Sequence, residues 1–196
     1  IYTLSLHDAL PISTSEKLAP LLQKGAIGVL PTDTVYGLVS IVDRQPLARL
    51  YAAKPRQQQA GTIIAARVED LIALGLDASA LRQVAHLWPA PLSVVVEAPR
   101  VARYIRGERS SLAVRIPADK ALRALLAKTG PLMTTSANRH QEATVRTTIE
   151  AQQIFGDKVD FYVYGGVIDG LPSTIIAIDD SGNLVTLREG RRSNTA

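Results

Sequence analysis

The sequence predicts a single α/β domain, α+β-like in its mixing, with a twisted sheet of parallel and antiparallel strands and helices packed on it. Three observations predict this. Helical and extended patterns alternate from Ser13 onward, each with its own punctuation, as expected when helices cover a sheet. The order is mixed, and the last two extended stretches follow one another across a short polar turn, so some neighbours are antiparallel. A chain of 196 residues with 46% hydrophobic content buries the core of one domain, or of two small ones at most. No repeat, linker or low-complexity segment divides it.

The elements follow in order. Residues 13–16, STSE, read as a capping box; Leu18, Leu21 and Leu22 then share a face and Gly25 stops the helix. Residues 26–30 form a compact apolar strand broken by Pro31. Gln45-Pro46 opens a helix running through Leu47, Leu50 and Tyr51 to about Lys54. Residues 62–66 read as a strand, 68–76 and 79–88 as helices, 92–97 as a strand, and a basic connection follows. Residues 112–116 form a strand, 119–128 a helix closed by Gly130, and 132–135 another strand. A second capping box, TTIE at 147–150, heads a helix stopping at Gly156. Strands near 159–164, 174–178 and 184–187 finish the fold, the last two joined by the turn DSGN at 180–183.

Composition excludes several chemistries. With no cysteine there are no disulfides, zinc-thiolate sites or thiol catalysis, and three scattered histidines argue against a histidine-rich metal site. The net charge of +4 is compatible with an anionic ligand, a nucleotide or nucleic acid, and equally with solubility alone. No apolar run approaches the roughly 18 residues of a membrane span, so a soluble, cytoplasmic protein without membrane contact is expected. The opening stretch IYTLSLHDALPIS lacks the basic start and small-residue cleavage site of a secretion signal. It resembles translated sequencing-adaptor sequence, so residues 1–13 are expected to be non-native, with the domain at 14–190 and a basic tail at 191–196.

Four polar clusters fall where predicted strands end, the place where open α/β sheets build ligand crevices. In PTDTVYG, Thr32, Thr34 and Tyr36 alternate, which would turn their hydroxyls to one side of an extended loop; a turn held by local side-chain bonds is the competing account. Lys54 and Arg56 combine a point charge with a guanidinium fork, suited to phosphate oxygens and also to a helix C-terminus. Arg115 closes the strand SLAVR. Buried there, it needs either an anionic ligand such as a carboxylate or an internal salt bridge. In TTSAN, small side chains allow close approach, while Ser136 and Asn138 offer both donors and acceptors to phosphate or ribose. No acidic partner positions a histidine for a serine nucleophile, and Walker-A and GxGxxG patterns are absent. Arg100, Arg103, Arg106 and Arg109 recur every third residue and read mainly as a solvated face, with RNA contact as the lesser alternative.

Taken together, LPTDTVYGL, YAAKPR, LWPAPLSVVV, SLAVRIP, TTSAN, GLPSTII and LREG resemble, in order and spacing over residues 14–190, the YrdC-domain family of threonylcarbamoyl-AMP synthases in its short single-domain form. The resemblance implies a YrdC-like sheet around a basic central cavity. It implies that the cavity takes ATP, L-threonine and bicarbonate and releases pyrophosphate and threonylcarbamoyl-AMP. That product would be the donor for modifying the adenosine beside a tRNA anticodon, handed to the tRNA threonylcarbamoyl-transfer machinery. Carried over by motif, Lys54, Arg56, Ser111, Ser136, Asn138, Thr144 and Arg188 would hold ATP. Thr32, Thr34, Arg115, Thr134 and Ser173 would hold threonine, with Arg115 on its carboxylate. No protein nucleophile is implied; threonine carbamate would attack the α-phosphate while Lys54 and Arg56 stabilise phosphate charge. Mg²⁺ would be bound through ATP rather than by protein ligands.

The sequence departs from the family pattern at Ala60-Gly-Thr62, at His140-Gln-Glu142 after the Ser-x-Asn pair, and at Trp88-Pro-Ala-Pro91. A paralogous branch lacks the Lys-x-Arg and Ser-x-Asn pairs, both present here. The alternative is a YrdC-like RNA-binding or ribosome-maturation module, contacting tRNA or double-stranded RNA by its basic surface without synthase activity.

Overall fold

The structure, a computed structural model, describes residues 2–5, 14–54, 61–139, 142–179 and 181–190. Strand β1 (Tyr2–Ser5) precedes α1 (Thr14–Gln23), the hairpin of β2 (Gly28–Pro31) and β3 (Tyr36–Ile41), and α2 (Arg44–Ala53). Strand β4 (Thr62–Ile64), helices α3 (Val68–Ala73) and α4 (Ala78–Val84), and β5 (Leu92–Glu97) come next. A short α5 (Arg103–Arg106), β6 (Ser111–Arg115), α6 (Lys120–Thr129) and β7 (Leu132–Ser136) follow. Helix α7 (Thr148–Phe155), β8 (Phe161–Tyr164), β9 (Thr174–Ile178) and β10 (Leu184–Arg188) complete the order.

Among the described residues these strands form one sheet in the order β1-β8-β2-β3-β7-β4-β6-β5-β9-β10. Four neighbouring pairs are parallel, β1/β8, β2/β8, β4/β6 and β5/β9, and the others antiparallel. The predicted mixed sheet is therefore observed. No helix among the described residues is long and apolar enough to cross a membrane.

Alternation along the strands sorts side chains into layers. On one face Leu30, Val39, Leu132 and Phe161 meet Leu18 and Leu22 of α1 and Leu122, Leu125 and Leu126 of α6. Opposite, Val29, Leu38 and Tyr162 meet Leu50 of α2 and Phe155 of α7. Further along, Ile63, Val94, Val114 and Met133 pack under Leu71, Leu81 and Val84 of α3 and α4.

Helix starts follow their caps. Asp77 accepts the Ala80 N–H at 2.8 Å and Asp119 the Leu122 N–H at 2.6 Å. At α7 half of the expected box forms: Thr147 accepts the Glu150 N–H at 3.2 Å, while Glu150 accepts from Arg146 N rather than Thr147 N, at 2.8 Å. In the first box Ser13 lies outside the described residues.

Three elements differ from the sequence reading. The sequence marks no strand at 36–41, where only Tyr36 and Gly37 fall in the extended loop PTDTVYG. Strand β3 is buried along its whole length between β2 and β7, so it shows no polar alternation, as befits a strand covered on both faces. The arginines after residue 100 are only partly a solvated face. Arg106 turns back to donate to the carbonyls of Val101 and Arg109, Arg103 pairs with Glu108, and Arg44 lies 4.9 Å over the Tyr104 ring. Residues 2–5, set aside from the fold in the sequence reading, run parallel to β8 at the sheet margin.

Candidate functional site

Where α1 and α6 stop covering their face of the sheet, large apolar side chains give way to small ones. Along β3 the same-face series runs Ile41, Val39, Gly37; along β4 it runs Ile64, Thr62; along β7, Leu132, Thr134, Ser136. The floor left behind is the base of a cavity of about 170 Å³, walled by the β2–β3 turn, Ala113 and Arg115 of β6, Ser173 just before β9, and Ile175 and Arg188 from the last two strands. Two glycines keep this floor thin. A Cβ on Gly61 would meet the Thr134 carbonyl oxygen and stand 2.8 Å from Met133 Sδ, and one on Gly37 would lie 2.6 Å from Thr134 Oγ1.

Arg115 is the buried charge of the cavity, at 3% exposure. Its Nη2 lies 3.0 Å from Asp33 Oδ1, and Asp33 Oδ2 accepts the Ala118 N–H at 3.0 Å. Burial pulls the Arg115 pKa down, Asp33 pushes it back up, and Arg188 acts downward. The guanidinium stays charged, as arginine does in proteins. Of the two partners left open by the sequence, an internal carboxylate is present.

The β2–β3 turn is organised by Thr32. Its hydroxyl donates to Val35 O at 2.6 Å, accepts from Thr34 N and Val35 N, and sits 3.1 Å from Thr34 Oγ1. Both accounts of this turn thus hold together: local bonds fix it, and Thr32 and Thr34 line the cavity. Tyr36 does not join them. Its hydroxyl donates to Gly166 O at 2.8 Å and accepts from Gly165 N at 2.9 Å, securing the β8–β9 connection.

On the opposite wall Ser173 is held at both ends. Its Oγ is 2.9 Å from Ser93 Oγ, deep in β5, and its carbonyl accepts from Arg188 Nη2 at 2.9 Å. Partial burial lowers the Arg188 pKa, and among the described residues no carboxylate pairs with it.

Lys54, at the end of α2, reaches behind the cavity to the exit of β7. Its Nζ donates to Ser136 O at 2.6 Å, Asn138 Oδ1 at 2.7 Å and Thr135 Oγ1 at 3.1 Å, so its three protons have acceptors. Ser136 Oγ also donates to Asn138 Oδ1 at 2.8 Å, and Asn138 Nδ2 donates to Glu142 O at 2.7 Å. No carboxylate faces this ammonium among the described residues; burial lowers its pKa from 10.5 to about 8. A desolvated cation with only neutral partners is a place where an anion gains strongly.

The structure therefore gathers Thr32, Thr34, Arg115, Thr134, Ser136, Ser173 and Arg188 around one cavity, with Lys54 and Asn138 adjoining through Ser136. Ser111 lies on the same face of β6 as Ala113 and Arg115 but outside the lining, beside Glu97 of β5. Thr144 sits next to Val145, whose N–H donates to Ala137 O at 2.9 Å, and is also outside the lining. Arg56 lies outside the described residues, as do Ala60, His140 and Gln141 of the departing loops. Sequence reasoning missed Asp33 and Ser93. Asp33 was legible as the lone acid between two threonines; Ser93 was hidden as one polar residue in an apolar strand.

The site is thus a mixed sheet with guanidinium-bearing walls over a small-residue floor. The family model Sua5/YciO/YrdC, described as "Telomere recombination", matches residues 20–190, and this chain belongs to that family. Threonylcarbamoyl-AMP synthase of Chromohalobacter salexigens is 36% identical over 163 residues, 79% of this chain and 86% of that protein. Its counterpart from Coxiella burnetii strain RSA 493 is 30% identical over 171 residues, 84% of this chain and 87% of that protein. P. abyssi Sua5 complexed with L-threonine superposes with a TM-score of 0.85 at 26% identity, covering 97% of this chain and 58% of that longer one. E. coli YciO, at 22% identity and a TM-score of 0.80, shares the fold.

Proposed function

We infer that the protein is a threonylcarbamoyl-AMP synthase acting on L-threonine and ATP, an activity it shares with relatives of that name. The observation that carries the reading is the joining of two subsites through Ser136. The cavity supplies Arg115 for a carboxylate, with the hydroxyls of Thr32, Thr34, Thr134 and Ser173 for the remaining polar atoms of threonine. Its volume of about 170 Å³ is below the roughly 300–1,000 Å³ typical of drug-sized sites, which suits an amino acid. Beside it, Lys54 and the Ser136–Asn138 segment supply a desolvated ammonium, a hydroxyl and an amide for phosphate oxygens. Arg56, Ser111, Thr144 and Arg188 complete the nucleotide set in this proposal.

The reaction class is nucleotidyl transfer. Threonine and bicarbonate give threonine carbamate with loss of water; a carbamate oxygen then forms a bond to the α-phosphorus as the bond to pyrophosphate breaks. The nucleophile comes from the substrates, so the chain's task is to orient two reactants and neutralise developing phosphate charge. Arg115 holds the threonine end still, while Lys54 meets the charge on the phosphates. Mg²⁺ would be held through the nucleotide, where it would offset phosphate charge; the hydroxyl, amide and ammonium donors beside Ser136 suit phosphate oxygens rather than a bare cation. The adenylate then serves tRNA threonylcarbamoyl transfer. An RNA-binding module without synthase activity is not favoured, because it needs no amino-acid cavity of this kind.

The test is threonine-dependent pyrophosphate release from ATP in the presence of bicarbonate, with threonylcarbamoyl-AMP identified by mass spectrometry. Release that is the same without threonine, or absent altogether, defeats the reading.

A further inference from the structure

Arg115 is both a wall of the cavity and one of the most deeply buried charges in the protein. A guanidinium so far from water requires partners for its donors. One side has an ion pair, since Nη2 lies 3.0 Å from Asp33 Oδ1. The Nε atom is also buried and has no acceptor among the described residues. Asp33 is itself fixed: Oδ2 accepts the Ala118 N–H just past the end of β6, and the turn carrying Asp33 is closed by the Thr32 bonds. With side-chain exposures of 4% each, neither partner has solvent to swing into.

We infer that Asp33 is a positioning residue for the amino-acid substrate: by holding Arg115 at Nη2, it fixes the guanidinium that lines the cavity for the substrate carboxylate. The inference deepens the synthase reading and rests on it. A guanidinium locked before the ligand arrives loses less conformational freedom on binding, and so binds more tightly. The rival geometry is that Asp33 occupies the ligand's own seat and must be displaced. The two differ in sign. Loss of a positioning group weakens threonine binding, whereas loss of a competitor strengthens it.

The experiment is calorimetric titration of the full chain with L-threonine, with and without a non-hydrolysable ATP analogue. Asp33→Asn keeps an acceptor for the Ala118 N–H but removes the charge. Asp33→Glu keeps the buried charges balanced, so it reports even where the asparagine variant fails to fold, and it displaces the guanidinium by a methylene length. Each is expected to weaken threonine binding about tenfold or more, the effect of one misplaced charge-assisted hydrogen bond, with analogue affinity within about twofold. In an Arg115→Lys background the Asp33→Glu effect should shrink below about twofold, because Asp33 acts through Arg115. Unchanged or tighter threonine binding by folded Asp33→Glu overturns the inference, as does an equal loss of analogue binding. Wild-type protein that binds threonine but releases no pyrophosphate defeats the synthase reading while leaving Asp33 in place. Wild-type protein that binds no threonine in either condition overturns both.

Discussion

Replacing Lys54 with methionine removes a buried ammonium whose pKa is lowered from 10.5 to about 8 by burial, and the loss has a defined pH signature. Between those values the unfolded chain keeps a proton that the folded chain has shed. Stability therefore rises with pH across that window, by up to about 1.4 kcal/mol per pH unit. Below pH 8 both states are protonated and the burial cost is fully present; above 10.5 both are neutral and it has gone. From pH 7 to pH 9 the linkage amounts to about 1.3 kcal/mol. Urea unfolding of wild type and Lys54→Met at both pH values isolates it, since other titrating groups cancel in the difference. Wild type should gain about 1.3 kcal/mol relative to the variant on going to pH 9. Phosphate seated on Nζ would raise the pKa, so saturating ATP should flatten this rise. Equal pH dependence in the two proteins would refute the assignment of a desolvated ammonium to this position.

Three further outcomes follow from the geometry. Gly61→Ala forces a methyl against the Thr134 backbone carbonyl, a clash no rotamer relieves; a loss of about 1–3 kcal/mol is expected by chemical denaturation, and wild-type stability would contradict the packing. Ser93→Ala removes the hydroxyl that orients Ser173. Steady-state kinetics should show a several-fold rise in the KM for threonine with the KM for ATP unchanged, and matching rises in both would count against the pairing. Thr147→Ala takes away the α7 cap and should cost about 1 kcal/mol in thermal unfolding, with no change in ligand affinity.

Much of the fold could be read from periodicity because each helix buries one stripe and most strands are bounded by Gly or Pro. The runs at 92–97 and 174–178 coincide with β5 and β9 as observed. Strand β3 escaped because YGLVSI is buried on both faces, which erases the alternation that marks a half-exposed strand. At the site, the polar clusters of separate segments do converge, yet spacing alone does not say which partner a charge will take. Arg115 illustrates this: its sequence context predicted burial, while the choice of Asp33 depends on a turn more than eighty residues away in the chain. Ser93 shows the complementary limit. One hydroxyl in LSVVVE looks like noise until β5 and the residue before β9 place two serines side by side.

The order of the sheet also bears on how the site comes into being during synthesis. Strands β9 and β10 attach to the rest through the parallel ladder with β5, and with Ser173 they bring one whole wall, including Arg188, from the far end of the described chain. A nascent chain emerging from the ribosome can pack the β2–β3–β7 floor and seat Lys54 on Asn138 while that wall is still inside the exit tunnel. The pocket is then an open shelf, and it becomes an enclosure only when the final ribbon docks. Premature termination shortly before residue 173 would on this account leave a protein with much of its core and only half a binding site.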